Sequence, residues 1–463
     1  MKYIKVITVL LFSLLILAPL ATFNFQPEAV SIIDNRMLAE NPFTPEGVSG
    51  QGLKTDIQNY LSDRIGFRDE MISAYTVLND KLFGKMVHPS YTYGKDGYVF
   101  GAGLTVYSQC TEFHVAFADM IKEIQDYCDA RSVPFIFVFE PAKPAVLTEY
   151  IADGINYDRS WVDEFLALLD ERGVRYVDNT VTLREKTEEG EVVFNQKYDA
   201  NHWNDLGAYY GTQAIVAALR EQGANVHLTE IDEITIEYDL QTSLPVSDFP
   251  ISEFTPKISI DMDYNYASSG YNEEVYRHPS YQGFGRFINQ ELLDEGAARA
   301  LVLQGSYMNG FGYKYLINAF GEYVYVHDYQ NVIDFSYYFN IFKPECVVIE
   351  AAEYTLSESY FNYNNMLAMD LNPVLEQAEE DAAEKKEMQL DDSMLEIEQG
   401  TVLTKIRWKS DLVDYAWIRL GDEYDMKVSE DGYEVSVKNE VFDAYKDSME
   451  IVTLQDETLV IYH

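Results

Sequence analysis

The sequence predicts an α/β domain with a parallel sheet covered on both faces, followed by a small all-β module. Two observations carry the first part. From about residue 112, helix-period runs alternate with strand-like runs. The strand runs are continuously apolar, and Val133 to Pro141 (VPFIFVFEP) is rich in Val, Ile and Phe. A strand buried on both faces reads this way, whereas a half-exposed strand alternates. A third observation carries the module. From about residue 399 the pattern changes to short strands, GTVLTKIRW, DYAWIRLG, YEVSVKN and SMEIVTLQDETLVIYH, with only VFDAYKD at helical period.

The elements follow in order. Met1-Lys2-Tyr3-Ile4-Lys5 is basic, and an uncharged run continues from Val6 to Phe23. A bilayer needs roughly 17–25 apolar residues, so residues 1–25 read as a signal anchor or a cleaved signal peptide. Pro19 spoils the small-residue cleavage pattern near Ala18 and Ala21, which favours the anchor. The lysines before the run place the following body outside the cytoplasm. Residues 24–90 look helical. Ile57, Tyr60 and Leu61 share one face, and Met71, Tyr75, Leu78 and Leu82 form another stripe. Gly94 to Phe100 turns into a short strand. FHVAFADMIKEIQDYCDAR, SWVDEFLALLDERG and DLGAYYGTQAIVAALREQG are helices, with VRYVDN a strand between the last two. ARALVLQG, KYLINAFG, EYVYVHD and PECVVIEAA then read as strand, helix, strand and strand. The main domain spans 26–373. Residues 225–295 break its rhythm with Pro245, Pro250, Pro256 and Pro279, and read as an insertion over the active-site side with a short hairpin in KISIDMDY. Residues 374–398 are acidic and read as an exposed helix or linker, before the β module at 399–463.

Composition excludes some partners. The chain has 463 residues, 47% of them hydrophobic, and a net charge of −43. Such a balance disfavours nucleic acid, whose phosphates must be neutralised by Lys and Arg. The 36 tyrosines suit sugar-contacting surfaces and ordinary packing alike. Cys110, Cys128 and Cys346 are widely spread, with no Cys-x-x-Cys pair and hence no structural zinc pattern. A Cys110–Cys128 bridge and buried free thiols are both open. His88, His114, His227, His278, His327 and His463 lack ligand spacing, so no metal and no cofactor is expected.

Two short stretches can carry chemistry. The first is Asp199-Ala200-Asn201-His202-Trp203, in a loop that leads into a helix. A carboxylate three residues before a histidine can hold one ring nitrogen and leave the other as a base. The second is Gln304-Gly305-Ser306-Tyr307, where a buried strand ends just before a helix. A hydroxyl there stands above the carboxyl edge of the sheet, where ligands of open α/β sheets bind. The first N–H groups of the helix are unpaired and can stabilise an oxyanion. Asp199, His202 and Ser306 are therefore the candidate triad. Gly305, Tyr307 and Asn309 stand as candidates for oxyanion or substrate contacts, with Asn309 equally suited to capping. Lys143 is a further substrate-binding candidate, with loop orientation as its plainer role.

From about residue 35 to Tyr360 the chain resembles the alginate O-acetyltransferase and DHHW-type group of SGNH-hydrolase-like proteins. The landmarks match in order: YLSDRIGFRDEMI with Asp63 and Arg68, GKDGYVF, FVFEPAK with Pro141 and Lys143, DANHWNDLGAYYG, LVLQGSYMNG and PECVVIEAAEY. The resemblance implies an SGNH-hydrolase-like (flavodoxin-like) three-layer sandwich. It also implies transfer of acetyl groups to a polysaccharide, or acetylesterase action where water is the acceptor, with a membrane acyltransferase partner as donor and the β module either holding glycan or simply packing against the main domain. Three departures stand out. The family's Gly-Asp-Ser reads Gln304-Gly305-Ser306, the acid often found two residues before the histidine is Ala200, and the usual Glu-Arg after the last strand is Glu353-Tyr354. They support a rival reading, a catalytically inactive scaffold or polysaccharide-binding protein of an export or assembly complex. A metal-dependent hydrolase is disfavoured by the lack of clustered ligands.

Overall fold

The structure is a computed structural model. It describes residues 2–27, 29–31, 33, 36–44, 47, 48, 52–88, 90–105, 109–245, 249–409, 413–429 and 432–463. Asn35, near the start of the family resemblance, lies outside them.

Seven strands form the main sheet: β1 Phe135–Glu140, β2 Tyr176–Asp178, β3 Asn265–Tyr266, β4 Phe284–Ile288, β5 Arg299–Gln304, β6 Glu322–His327 and β7 Cys346–Ala352. Their spatial order is β2-β1-β7-β5-β6-β4-β3. The five strands from β2 to β6 pair in parallel, and β4 and β3 close the far edge antiparallel. The continuous apolar runs have the reason anticipated for them. Phe135, Phe137 and Phe139 point into one core with Leu301, Leu303, Val347 and Ile349. Ile136 and Val138 point into the other with Val302, Tyr323 and Val348. Helices Glu112–Ala130, Ser160–Arg172 and Phe335–Phe342 cover the first face, and Asp205–Glu221 covers the second. Gly173 ends Ser160–Arg172 with φ 65°, the left-handed turn that glycine adopts without strain.

Residues 225–295 differ from the expected insertion. Ile234–Ser243 and Pro250–Ile260 form one long antiparallel ribbon, so KISI lies inside a strand and is no hairpin. The second half supplies β3 and β4, because the apolar Phe284–Ile288 can pair with β6 and complete the sheet edge. The ribbon is tied to the domain. The Asp205 carboxylate accepts the Ile258 N–H at 2.6 Å, and Lys314 Nζ donates to Asp205 and to the Ile258 carbonyl, each at 2.6 Å.

Residues 374–398 also differ. After a short helix Leu375–Asp381, strands Glu384–Met388 and Leu395–Gln399 join the β module. The first is exposed throughout and pairs in parallel with Thr458–Tyr462, an edge position that needs no apolar alternation and so hides from pattern reading. The module packs a five-stranded on a four-stranded sheet. Ile406, Trp408, Ile418, Val435, Val437 and Ile451 fill the space between them.

At the N-terminus, Tyr3–Ala21 is, among the described residues, the one helix long and apolar enough to cross a membrane. Helices Leu53–Arg64 and Arg68–Phe83 follow. Their stripe of Met71, Tyr75, Leu78 and Leu82 faces outward, 48–63% exposed. Asp63 accepts the Ala39 N–H and Arg68 pairs with Asp69, so both organise this segment. The three cysteines are free thiols.

The β module docks through polar contacts. Arg131 Nη2 reaches both oxygens of Asp425 at 3.0 and 3.1 Å, its Nε lies 3.2 Å from Glu423, and its guanidinium sits 3.7 Å over Tyr127. Burial pushes the Asp425 carboxyl up, against the opposing pull of Arg131. Removing one partner of such a buried pair strands the other charge, at about 3–5 kcal/mol. Arg131→Ala is therefore expected to lower the urea midpoint by a corresponding amount. Arg131→Lys should recover only part of it, since an ammonium cannot span both oxygens and the ring.

Candidate active site

The carboxyl ends of four parallel strands meet at one edge of the sheet. β1 ends at Glu140, β5 leads to Gly305 and Ser306, β6 to Asp328, and β7 to Glu353 and Tyr354. The loop before helix Asp205–Glu221 brings the remaining groups. Its end is set by Asn204, whose side chain accepts the Gly207 N–H at 2.9 Å and caps the helix. Trp203 is fully buried, and its indole donates to the Tyr307 carbonyl at 3.1 Å. Gly211 makes room for the ring, since a Cβ there would lie 2.1 Å from an indole carbon.

Asp199 has φ 59°, a left-handed conformation that Asp tolerates because its short polar side chain bonds locally. Its Oδ1 accepts the N–H groups of Asn201 and His202, both at 3.0 Å. Its Oδ2 lies 2.9 Å from His202 Nδ1, and His202 Nε2 lies 2.8 Å from Ser306 Oγ. The structure thus brings Asp199, His202 and Ser306 into one hydrogen-bonded line. With the carboxylate on Nδ1–H, Nε2 is left as the acceptor. Burial pulls the His202 ring down, but the Asp199 charge and hydrogen bond outweigh it and leave the ring above its ordinary 6.5. Burial pushes the Asp199 carboxyl up, while His202 and the two N–H groups bring it below the usual range.

The other four candidates sit close by in different roles. Lys143 is fully buried, and its Nζ donates to the carbonyls of Val99 at 2.8 Å and of Gln196 and Asp199 at 3.2 Å. It holds the loop and has no surface for a substrate; burial pulls it down to about 7. Tyr307 is also fully buried. Its hydroxyl donates to the carbonyls of Pro141 and Asn201, and its ring lies edge-on to His202 at 5.0 Å. It positions the histidine and cannot touch a ligand. Asn309 is exposed, with its side-chain oxygen bound by Gln304 Nε2 at 2.7 Å. Gly305 donates its N–H to Glu350 at 2.9 Å, and the Tyr307 and Met308 N–H groups face the same carboxylate. The helix start therefore spends those N–H groups inward. Of the donors expected for an oxyanion, the Ser306 N–H remains.

Glu350 also accounts for the missing aspartate of Gly-Asp-Ser. A Cβ at position 305 would lie 3.2 Å from Asp328 Oδ2 and 3.5 Å from Glu350 Oε1, so an acidic side chain there would be driven onto two carboxylates. Burial, then Asp328, pushes Glu350 up to about 8, and burial pushes Asp328 up to about 6. Among the described residues no group of His, Cys, Asp and Glu is arranged to hold a metal ion.

Sequence reasoning passed over Tyr354 as a site residue. Its hydroxyl lies 2.9 Å from His202 Nε2 and 3.2 Å from Ser306 Oγ. The departure from Glu-Arg marked the position, but nothing local showed where the phenol would point. Asn201 lies beside His202, and its carboxamide lines the adjoining cavity. Glu253 of the ribbon accepts the N–H groups of Gln196, Lys197 and Tyr198 at 2.6, 2.9 and 2.6 Å, shaping the approach to Asp199.

The fold and this edge define an SGNH-hydrolase-like α/β domain with a strand-rich C-terminal module. Residues 92–248 match the family model described as the SGNH hydrolase-like domain of acetyltransferase AlgX, as the sequence motifs imply. The matched stretch contains Asp199 and His202 and stops before Ser306. Among solved structures, the chain is similar to the O-acetyltransferase domain of Pseudomonas putida AlgJ, with 16% identity, a TM-score of 0.42, and 61% of this chain and 99% of that one covered. It is similar to Bacillus cereus PatB1, with 14% identity, a TM-score of 0.45, and coverage of 58% and 97%. It is also similar to a DHHW family protein from Eubacterium siraeum, with 15% identity, a TM-score of 0.43, and coverage of 62% and 98%. No curated protein matches the chain.

The geometry sets a titration. His202 should titrate above 6.5 by NMR of its imidazole, and Asp199→Asn should bring it below 6.5, because burial then acts alone. An unchanged midpoint would show that Asp199 does not govern the ring.

Proposed function

We propose that this chain is an extracytoplasmic O-acetyltransferase that acts on a polysaccharide through Ser306, His202 and Asp199. The observation that carries the reading is the unbroken line from Asp199 Oδ2 through the imidazole to Ser306 Oγ, at 2.9 and 2.8 Å. It stands at the carboxyl edge of a parallel sheet in a chain similar to acetyltransferases.

In the first half-reaction Ser306 Oγ attacks the carbonyl carbon of an acetyl ester as its proton passes to His202 Nε2. The Ser306 N–H faces the developing oxyanion. The ester's C–O bond breaks, and the leaving oxygen takes the proton from His202. In the second half a sugar hydroxyl gives its proton to His202 and attacks the acetyl-serine. The bond to Ser306 breaks, and the proton returns to Oγ. Water in place of the sugar makes the reaction an ester hydrolysis. No cofactor enters either half. The apolar helix Tyr3–Ala21, with Lys2 just before it and Lys5 in its first turn, supports an anchor that leaves the body outside the cytoplasm. The donor side belongs to a membrane acyltransferase partner, on the family resemblance. The β module packs on the main domain, and its tryptophans, Trp408 and Trp417, are buried in its interior, which supports a packing role for it over glycan binding.

One observation favours the rival scaffold reading: the Tyr354 hydroxyl occupies both Ser306 Oγ and His202 Nε2. An assay separates the two. The full chain in detergent should release the chromophore from a chromogenic acetyl ester. Ser306→Ala and His202→Ala should each lose at least ~10³-fold, the scale seen when a triad member is removed. Mass spectrometry of the wild type should find acetyl on Ser306. Release that is absent from the folded wild type, or equal in all three proteins, selects the scaffold. Since the base must be neutral, the rate should rise with pH through the His202 midpoint above 6.5.

A further inference from the structure

Against Tyr354 and Asn201 lies a cavity of about 300 Å³, at the small end of ligand clefts. Leu104, Pro144, Tyr157 and Trp161 give it an apolar and aromatic wall, and Tyr354, which also lines it, carries its hydroxyl 3.2 Å from Ser306 Oγ. Its polar groups are the Asn201 carboxamide and the carboxylates of Asp158 and Glu353. Among the described residues that line it there is no lysine or arginine.

Three cations of the surrounding elements are committed inward. Arg159 places Nε and Nη2 on Glu353 at 3.3 and 3.2 Å, and Nη2 also reaches Thr180. Arg184 donates from two nitrogens to the Ala145 carbonyl, at 2.9 and 2.6 Å. Lys143 is buried on three carbonyls. A sugar carboxylate is recognised by a free guanidinium fork or an ammonium. Here it would instead meet Asp158, which is exposed and held below the usual carboxylate range by the Ser160 N–H and hydroxyl. The net charge of −43 adds repulsion at longer range. Aromatic walls, phenol hydroxyls and a carboxamide suit an uncharged pyranose, which offers apolar C–H faces and hydroxyls.

We propose that the glycan taken up beside Ser306 is built of uncharged sugar units and that uronate polymers are excluded. This rests on the acyl-transfer reading for its chemistry, but the binding preference is measurable without it. The test uses the full chain in detergent with Ser306→Ala, so that no ligand is consumed. Calorimetric titration is run with neutral hexasaccharides (cello-, malto- and manno-) and with hexamers of mannuronate and galacturonate. The best neutral probe should bind at least ~10-fold tighter than either uronate at 0.15 M salt, and the gap should shrink at 1 M, where charges are screened within about 3 Å. Asp158→Lys should strengthen uronate binding relative to the neutral probe. A uronate that binds as tightly as the best neutral probe overturns the proposal, as does binding by none of the neutral probes or no response to Asp158→Lys. Chromogenic ester release by the wild type is scored separately. Its absence removes the acyl-transfer reading and leaves the measured sugar preference of the cavity intact.

Discussion

The buried ammonium of Lys143 is the interaction on which the site depends. It joins the carbonyls of Val99, Gln196 and Asp199, which belong to two stretches about a hundred residues apart in the chain. Its own position is set by β1, which ends just before it. Burying an ammonium costs several kcal/mol, and three carbonyl partners offset that cost. What the fold gains is placement. Asp199 sits in a left-handed turn, and its carbonyl is pinned from below while its carboxylate grips His202 from above. Glu253 completes the support by holding the three N–H groups just ahead of Asp199.

A second constraint lies under Ser306. Glu350 faces three N–H groups of the turn that carries Ser306, and Asp328 stands beside it. The departure at Gly305 is in keeping with these carboxylates, because a further acidic side chain would start 3.2 Å from Asp328 Oδ2 and 3.5 Å from Glu350 Oε1. The turn is thereby held rigidly from inside. The same arrangement leaves few donors facing outward, and Tyr354 fills the outward side of the site with a hydroxyl of its own. Substitutions that look like decay of a motif are, in this setting, parts of one packed arrangement.

The β module is held by charge and backbone contacts as well as by Leu403 and Val402, which pack into the main core. Arg131 pairs with Asp425 and Glu423, and Glu274 accepts the N–H groups of Thr401, Val402 and Leu403. These contacts lie away from the carboxyl edge. The module therefore bears on the stability of the domain.

The sequence by itself determined the local elements and the local half of the site. Periodicity shows which runs are helices and which are doubly buried strands, because that information repeats every few residues. The Asp199–His202 pair was legible for the same reason: three residues of spacing and one loop suffice to join them. Only the tertiary structure decided what meets what. Ser306 reaches His202 across 104 residues and Tyr354 reaches His202 across 152, contacts made by the strand order together with the seating of the loop before helix Asp205–Glu221 at the sheet edge. Periodicity carries no information on strand order, so the inward turn of Lys143, Tyr307 and the N–H groups around Gly305 was hidden. Glu384–Met388 was hidden for a different reason: an edge strand exposed on both faces leaves no apolar signature, and only its pairing with Thr458–Tyr462 reveals it.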